Sequence, residues 1–242
     1  MQRERAGTDG DTAGRQVTAW DLPTRLFHWA LVLLVILAYV SRRWGDEGLV
    51  WHTWNGIAIL VLVVWRLLWG IVGSSTSRFA RFVAWPWTAA RYGIDFLLRR
   101  PRRFLGHNPL GGLAVLALLG LVGAMGVLGL FSFDGSDPLE PREGPLAGRV
   151  AAELGQAATD WHKALFDVLL AVVGLHVAAQ VLYLVWQREN LVRAMFTGRK
   201  AEAAYEDEAS AEIAGGGRAV ACLVAAIVIV LGGIWLAGGK IL

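Results

Sequence analysis

Long apolar runs alternate along the chain with short connections rich in arginine, glycine and acidic residues. Runs at 22–40, 51–71, 110–131, 161–186 and 218–238 each supply about the 20 apolar residues that an α-helix needs to cross a bilayer. The pattern predicts five transmembrane helices and therefore an all-α integral membrane protein. The first run reads as a span and not as a signal peptide. It follows the polar "MQRERAGTDGDTAGRQVT" and leads into "SRRWGDEG", which has no small-residue cleavage pattern.

The polar connections predict the rest of the organisation. Segment 1–17 is a polar N-terminal arm. Within the 72–109 connection, "RFARFVAWPWTAARYGIDFLLRR" interleaves aromatics and leucines with arginines, as in an amphipathic helix lying at a membrane surface. The 132–160 connection carries Asp134, Asp137, Glu140, Glu143, Glu153 and Asp160 against two arginines, with Pro138, Pro141 and Pro145. It is long enough to cap the bundle or to contact something soluble. "AEAAYEDEASAEIAGGG" (201–217) reads as an acidic linker to a fifth span (218–242) that looks appended to a four-helix unit.

Composition agrees with this picture: 55% of the 242 residues are hydrophobic and the mean hydropathy is +0.48. The formal charge of +3 conceals an asymmetry. The arm, the 72–109 segment and the 187–217 segment hold three, seven and four Lys or Arg residues, whereas the opposite side holds Arg42, Arg43, Arg142, Arg149 and Lys240. The bias predicts a cytoplasmic N-terminus and, after five spans, a periplasmic C-terminus. The basic residues border the lipid, so nucleic acid is not an expected partner. Cys222 is the lone cysteine, which excludes an intrachain disulfide and makes it a small buried residue of the last span.

The histidines carry the candidate chemistry. An ionisable ring within a span is costly unless something uses it. His28 lies near the cytoplasmic start of the first span, and His52 opens the second from outside. His162 and His176 share the fourth span, 14 residues apart. That separation is about 21 Å along one helix face. His52 therefore matches the outer depth of His162, and His28 the inner depth of His176. Facing imidazoles at one depth in a helix bundle suit axial ligation of b-type haem, and two stacked haems would form an electron wire across the membrane. Zinc or copper would gather three or four ligands at one level.

Small and charged residues fit around this frame. Gly56 follows His52 by one turn, and Gly120, Gly123, Gly126 and Gly129 stripe the third span, admitting either a flat ligand or a neighbouring helix. Arg66 lies 14 residues after His52, at the depth of the inner pair. It either meets an anion such as a haem propionate or snorkels to the inner surface. His107, before the third span, has no partner at its depth and is not an expected ligand. A hydrogen bond to a propionate and a part in quinone-linked proton transfer both stay open for it.

"WDLPTRLFHW", "HTWNG", "WRLLWGIVGS", "FLGHNPLGG", "DWHKALFDVLLAVVGLHVAA" and "RENLVRAMFTGRK" together resemble the prokaryotic cytochrome b561 family, which includes the cytochrome b subunits of nickel–iron hydrogenases and formate dehydrogenases. The resemblance covers about 18–200, and the fifth span departs from the family's four-helix pattern. It implies a haem-binding transmembrane four-helix bundle plus one added C-terminal helix. Its implied cofactors are two haem b groups, with iron held by His52 with His162 and by His28 with His176.

The expected function is di-haem electron transfer across the inner membrane between the quinone pool and a periplasmic or membrane-bound partner, such as a c-type cytochrome. No catalytic residue is expected, since both axial positions of each iron are filled, and the chain reads as an electron-transfer subunit more than as a stand-alone enzyme. One alternative is a self-contained superoxide:quinone oxidoreductase, which would need a cationic outer funnel. Another is a haem-free membrane anchor. Homo-oligomer formation stays open.

Overall fold

The computed structural model describes residues 15–100, 102–135 and 142–240, apart from the side chain of Asp46. Most of the N-terminal arm (1–14), together with Asp137, Pro138, Glu140 and Pro141, named above, lies outside the described residues. Inner and outer below refer to the cytoplasmic and periplasmic sides expected from the charge bias.

Among the described residues, five helices are long and apolar enough to span a membrane: α1 (Leu22–Ser41), α2 (Gly45–Val72), α5 (Pro109–Phe131), α6 (Ala152–Leu182, prolonged by a π-type turn, Tyr183–Gln187) and α8 (Gly216–Leu236). Shorter helices α3 (Phe79–Phe82), α4 (Pro86–Leu97) and α7 (Leu191–Thr197) lie among the inner connections. Starts are chemically marked. Asp21 caps α1 by accepting the Thr24 N–H at 2.6 Å, and Asn108 caps α5 by accepting that of Gly111 at 2.8 Å. Pro23 and Pro109 occupy first-turn positions, where a missing N–H costs nothing.

Helices α2 and α6 begin at Gly45 and Ala152, earlier than the apolar runs at 51 and 161. Hydropathy marks only the stretch inside hydrocarbon. The backbone hydrogen bonds of a helix continue through polar residues that project beyond it.

Helix α2 is the centre of the bundle. On one face Ile59 and Val63 pack with Leu119 and Val122 of α5 and Leu169 of α6. On another, Trp65 and Trp69 receive Ala219, Cys222 and Ala226 of α8, while Ile57 and Leu60 meet Val230 and Ile234. Small side chains let α8 approach closely, the main source of helix association in lipid. The Trp65 indole donates to the Ala219 carbonyl at 3.0 Å. The fifth helix is thus packed along the length of α2, and Cys222 is buried there.

The expected amphipathic segment forms α4. Ala89, Tyr92 and Phe96 are buried on one side, and Trp85, Trp87, Ile94 and Leu97 are exposed on the other. Two short antiparallel pairs close the ends. On the inner side β1 (Gln16–Thr18) pairs with β4 (Arg199–Ala201), and on the outer side β2 (Phe133–Asp134) pairs with β3 (Arg142–Glu143).

The 201–217 segment is held down as a strap across the inner face. Ala211 N–H donates to the Thr18 carbonyl at 2.9 Å, and Ser75 N–H to the Glu212 carbonyl at 3.0 Å. Arg102 pairs with Glu206 at 2.7 Å, and Asp207 accepts from the Leu105 and Gly106 N–H groups at 2.6 and 2.8 Å. The far end of α8 is also fixed, by Arg149 donating to the Gly238 carbonyl.

Candidate functional site

The outer histidines come together. His52 from α2 and His162 from α6 have ring centres 5.9 Å apart with planes at 76°. His52 Nδ1 lies 2.8 Å from the Ala38 carbonyl of α1, and His162 Nδ1 lies 2.9 Å from the Met125 carbonyl of α5. A carbonyl only accepts, so both Nδ1 atoms carry the hydrogen and donate it. Each Nε2 is left with its lone pair free, the tautomer a metal-binding imidazole requires. Two rings so disposed could hold the metal of a cofactor between them, and their carbonyl partners would orient them for it.

Local sequence explains how the rings reach those carbonyls. Ala38 is in the last turn of α1, where carbonyls lack full intrahelical partners. Gly129 leaves the turn beyond Met125 bare, and a β-carbon there would sit 3.5 Å from the His162 ring. Gly126 has a different job, because its β-carbon would fall 2.6 Å from Leu60, and the bare position seats α5 on α2. Gly56 opens into empty space, with no atom within 4 Å of its would-be β-carbon.

That space is a cavity of about 420 Å³. Its walls include Val35, Gly56, Ile59, Val122, Phe166 and Leu169 around the two histidines. Arg42, Arg43, Arg142 and Lys163 join Asp134 and Glu143 in lining it, and Lys163 pairs with Asp134 at 3.4 Å. The outer β2–β3 pair contributes to this end.

The inner end differs. His28 and His176 lie within electrostatic reach of each other, but His28 Nδ1 is buried without a hydrogen-bond partner. Arg66 is 2% exposed, so it does not snorkel. Its two terminal nitrogens are buried and unpartnered, and the guanidinium lies 4.7 Å over the Phe79 ring. Asp21 is the nearby anion that Arg66 senses, but Asp21 is engaged by Thr24, Trp69 and Ser77. A buried cation lacking a hydrogen-bonded anion is costly, which marks a place for an anionic ligand. His107 lies close enough to Arg66, His28 and His176 to feel their charges. It was expected to lack a partner at its depth. The unpartnered atoms at this end and the Nδ1 acceptors at the other are backbone and burial properties, which a residue pattern does not carry.

A membrane-spanning helical bundle with imidazoles paired at its outer end has the design of a membrane cytochrome b. Residues 19–198 match the family model described as prokaryotic cytochrome b561, and the chain belongs to that family. A "Probable Ni/Fe-hydrogenase B-type cytochrome subunit" of Bradyrhizobium diazoefficiens is 24% identical over 211 residues, 76% of this chain and 85% of that protein. Proteins of the same description from Azotobacter vinelandii and Azotobacter chroococcum are each 27% identical over 135 residues, 44% of this chain. The match spans only 56% of the length of these two relatives. No solved structure matches the chain.

The chain is therefore a multi-pass membrane protein of a cytochrome b family, and the b-type family implies haem b. The residues present fit such a group. The outer cavity has apolar walls, two histidines whose Nδ1 atoms are committed to carbonyls and cationic residues in its lining, and the inner end offers, among the described residues, an arginine with unpartnered terminal nitrogens and the unpartnered Nδ1 of His28.

Proposed function

We propose that the chain is a di-haem cytochrome of the inner membrane, with His52 and His162 holding an outer haem and His28 and His176 an inner one. It carries electrons between the quinone pool and a periplasmic or membrane-bound oxidoreductase. The observation that carries this reading is the outer pair, whose Nδ1 atoms are both committed to backbone carbonyls and whose Nε2 atoms are both free. The description of the relatives as hydrogenase cytochrome subunits supports an oxidoreductase partner of that kind.

When bound, haem supplies the one-electron chemistry, and the protein supplies spacing, orientation and dielectric. The Ala38 and Met125 carbonyls fix the tautomer and direction of the outer rings and raise the basicity of their free nitrogens. Gly56 leaves room beside His52. Arg42, Arg43 and Lys163 provide positive charge in the outer cavity, and Arg66 does so at the inner level. Residues with both ligand positions committed to histidine disfavour oxygen binding at the metal.

The test of the quinone link is anaerobic mixing of the purified protein with a short-chain quinol. Reduction of the b haems, followed at their visible absorption, is expected. Haems that dithionite reduces and quinol does not would contradict it.

A second reading, superoxide oxidation coupled to quinone reduction, gains one specific observation. Arg42, Arg43, Arg142 and Lys163 outnumber Asp134 and Glu143 in the lining of the outer cavity, although the outer connection as a whole is acidic. Consumption of superoxide with stoichiometric quinol formation would establish it, and a rate no faster than spontaneous dismutation would remove it.

A further inference from the structure

At the inner end, besides His28 Nδ1, the terminal nitrogens of Arg66 and Nδ1 of His107 are buried with no hydrogen-bond partner among the described residues. They belong to different elements. Arg66 comes from the inner half of α2, and His107 comes from the turn that leads into α5. Both meet the Phe82 ring, with the Arg66 guanidinium 5.9 Å from its centre and the His107 ring centre 4.5 Å from it. The His107 imidazole carries an N–H in either protonation state, and a carboxylate oxygen can accept it.

The His107 ring is tightly housed. Trp20 meets it edge-on with centres 4.7 Å apart, and Phe82 lies 4.5 Å away on a tilted plane. Its chain neighbours are pinned as well. Asn108 caps α5 and donates to the Tyr183 hydroxyl at 2.6 Å, while Gly106 N–H is held by Asp207 of the strap. A buried polar atom with so fixed a position and no partner demands an explanation. An anionic oxygen provides one for both groups, because a carboxylate accepts from a guanidinium and from an imidazole N–H at once.

We propose that Arg66 and His107 together hold one propionate of the inner haem, and that the strap positions His107 for this by anchoring its loop through Asp207. The inference rests on the di-haem reading. It gives a role to a segment that begins beyond residue 198, where the family match ends. The strap's bonds to Leu105 and Gly106 then matter to the inner cofactor only, and the outer site should not sense them.

The test is a redox titration of the purified full-length protein in which both haems are resolved, comparing wild type, His107→Leu, His107→Gln and Asp207→Ala. Losing a donor to the propionate leaves more negative charge beside the inner haem and disfavours its reduction. His107→Leu is expected to lower the reduction equilibrium constant of the inner haem about tenfold, ~59 mV for a one-electron couple, with the outer haem unchanged. His107→Gln, which keeps a donor, should recover most of the shift, and Asp207→Ala should move it in the same direction by less. If His107→Leu does not fold, Asp207→Ala carries the test alone.

Two bound haems with wild-type potentials in both His107→Leu and Asp207→Ala would overturn the proposal, and would be expected if the anion were a lipid phosphate or another group away from haem. A shift in His107→Leu without one in Asp207→Ala would remove the strap from it. Failure of the di-haem reading looks different, because the wild-type protein would then already lack the inner haem.

Discussion

The two ends of the bundle present the same residue type at matched depths, yet the protein prepares them differently. At the outer end the polypeptide itself satisfies Nδ1 of each ring with a carbonyl, from Ala38 and from Met125, and leaves a cavity of about 420 Å³ before the free nitrogens. At the inner end His28 Nδ1, His107 Nδ1 and the terminal nitrogens of Arg66 are buried without hydrogen-bond partners among the described residues, beneath a strap fastened over the inner loops. The outer rings have backbone acceptors behind them, whereas the inner end holds buried polar groups with none among the described residues. On the di-haem proposal, matched depth would define where each cofactor goes, and the hydrogen bonds behind its histidines how far the protein alone orients them.

The sharpest way to break the comparison is to remove one ring. His162→Ala should abolish the outer haem and leave the inner one, halving the haem bound per chain, and His28→Ala should do the reverse. Haem content and resolved potentials of the purified variants check this. Loss of both haems from a folded variant would show that the two levels are not independent.

Arg66→Met comes next. It removes a buried charge whose proposed anion is an inner haem propionate, so inner haem retention should fall about 10- to 100-fold, the scale seen for supporting groups around metal sites. Transfer of haem to an excess of apo-globin measures it. The haem-free form should at the same time gain thermal stability, because an unpaired buried charge has gone. A variant that retains haem like the wild type would place the anion elsewhere.

Gly129→Leu should act on the outer end alone. Its side chain would push against the His162 ring, which a bare β-carbon already approaches at 3.5 Å. Weakening of outer haem binding by about tenfold is expected, in line with disturbing a ligand's orientation, with the inner potential unchanged.

The smallest effect concerns the strap. Arg102 hydrogen bonds hold the Glu206 carboxyl below its usual range, against a smaller opposing effect of burial. A carboxyl depressed in the folded state contributes stability above its unfolded value and loses it as pH falls through the folded one. Both partners are exposed, so the contribution is slight and salt-sensitive. Melting curves near neutrality and near pH 3 should converge slightly for wild type and Arg102→Gln at the lower pH, and an equal difference at both would contradict the pairing.

Much of this was legible in the sequence, and for definite reasons. Apolar runs must be about as long as the membrane is thick, so the five spans appear directly. A 14-residue spacing on one helix necessarily stacks His162 and His176, and the His52–His162 pair does meet. What stayed hidden belongs to the backbone and to polar contacts without period. The carbonyls of Ala38 and Met125 have no side-chain signature. Gly126 and Gly129 look alike in the stripe but serve a helix contact and a ring contact respectively. Arg66 read equally as snorkelling or buried, and burial alone decides between them. The 201–217 segment reads as a linker because its hold on the inner face consists of backbone and acidic hydrogen bonds to loops more than 90 residues away, such as Asp207 to Leu105.

The central claim is that the two histidine pairs each hold one haem. A reduced pyridine haemochrome assay on the detergent-purified protein, with protein quantified independently, tests it most directly. The account predicts two b haems per chain. One haem, or none, from a folded preparation would contradict it.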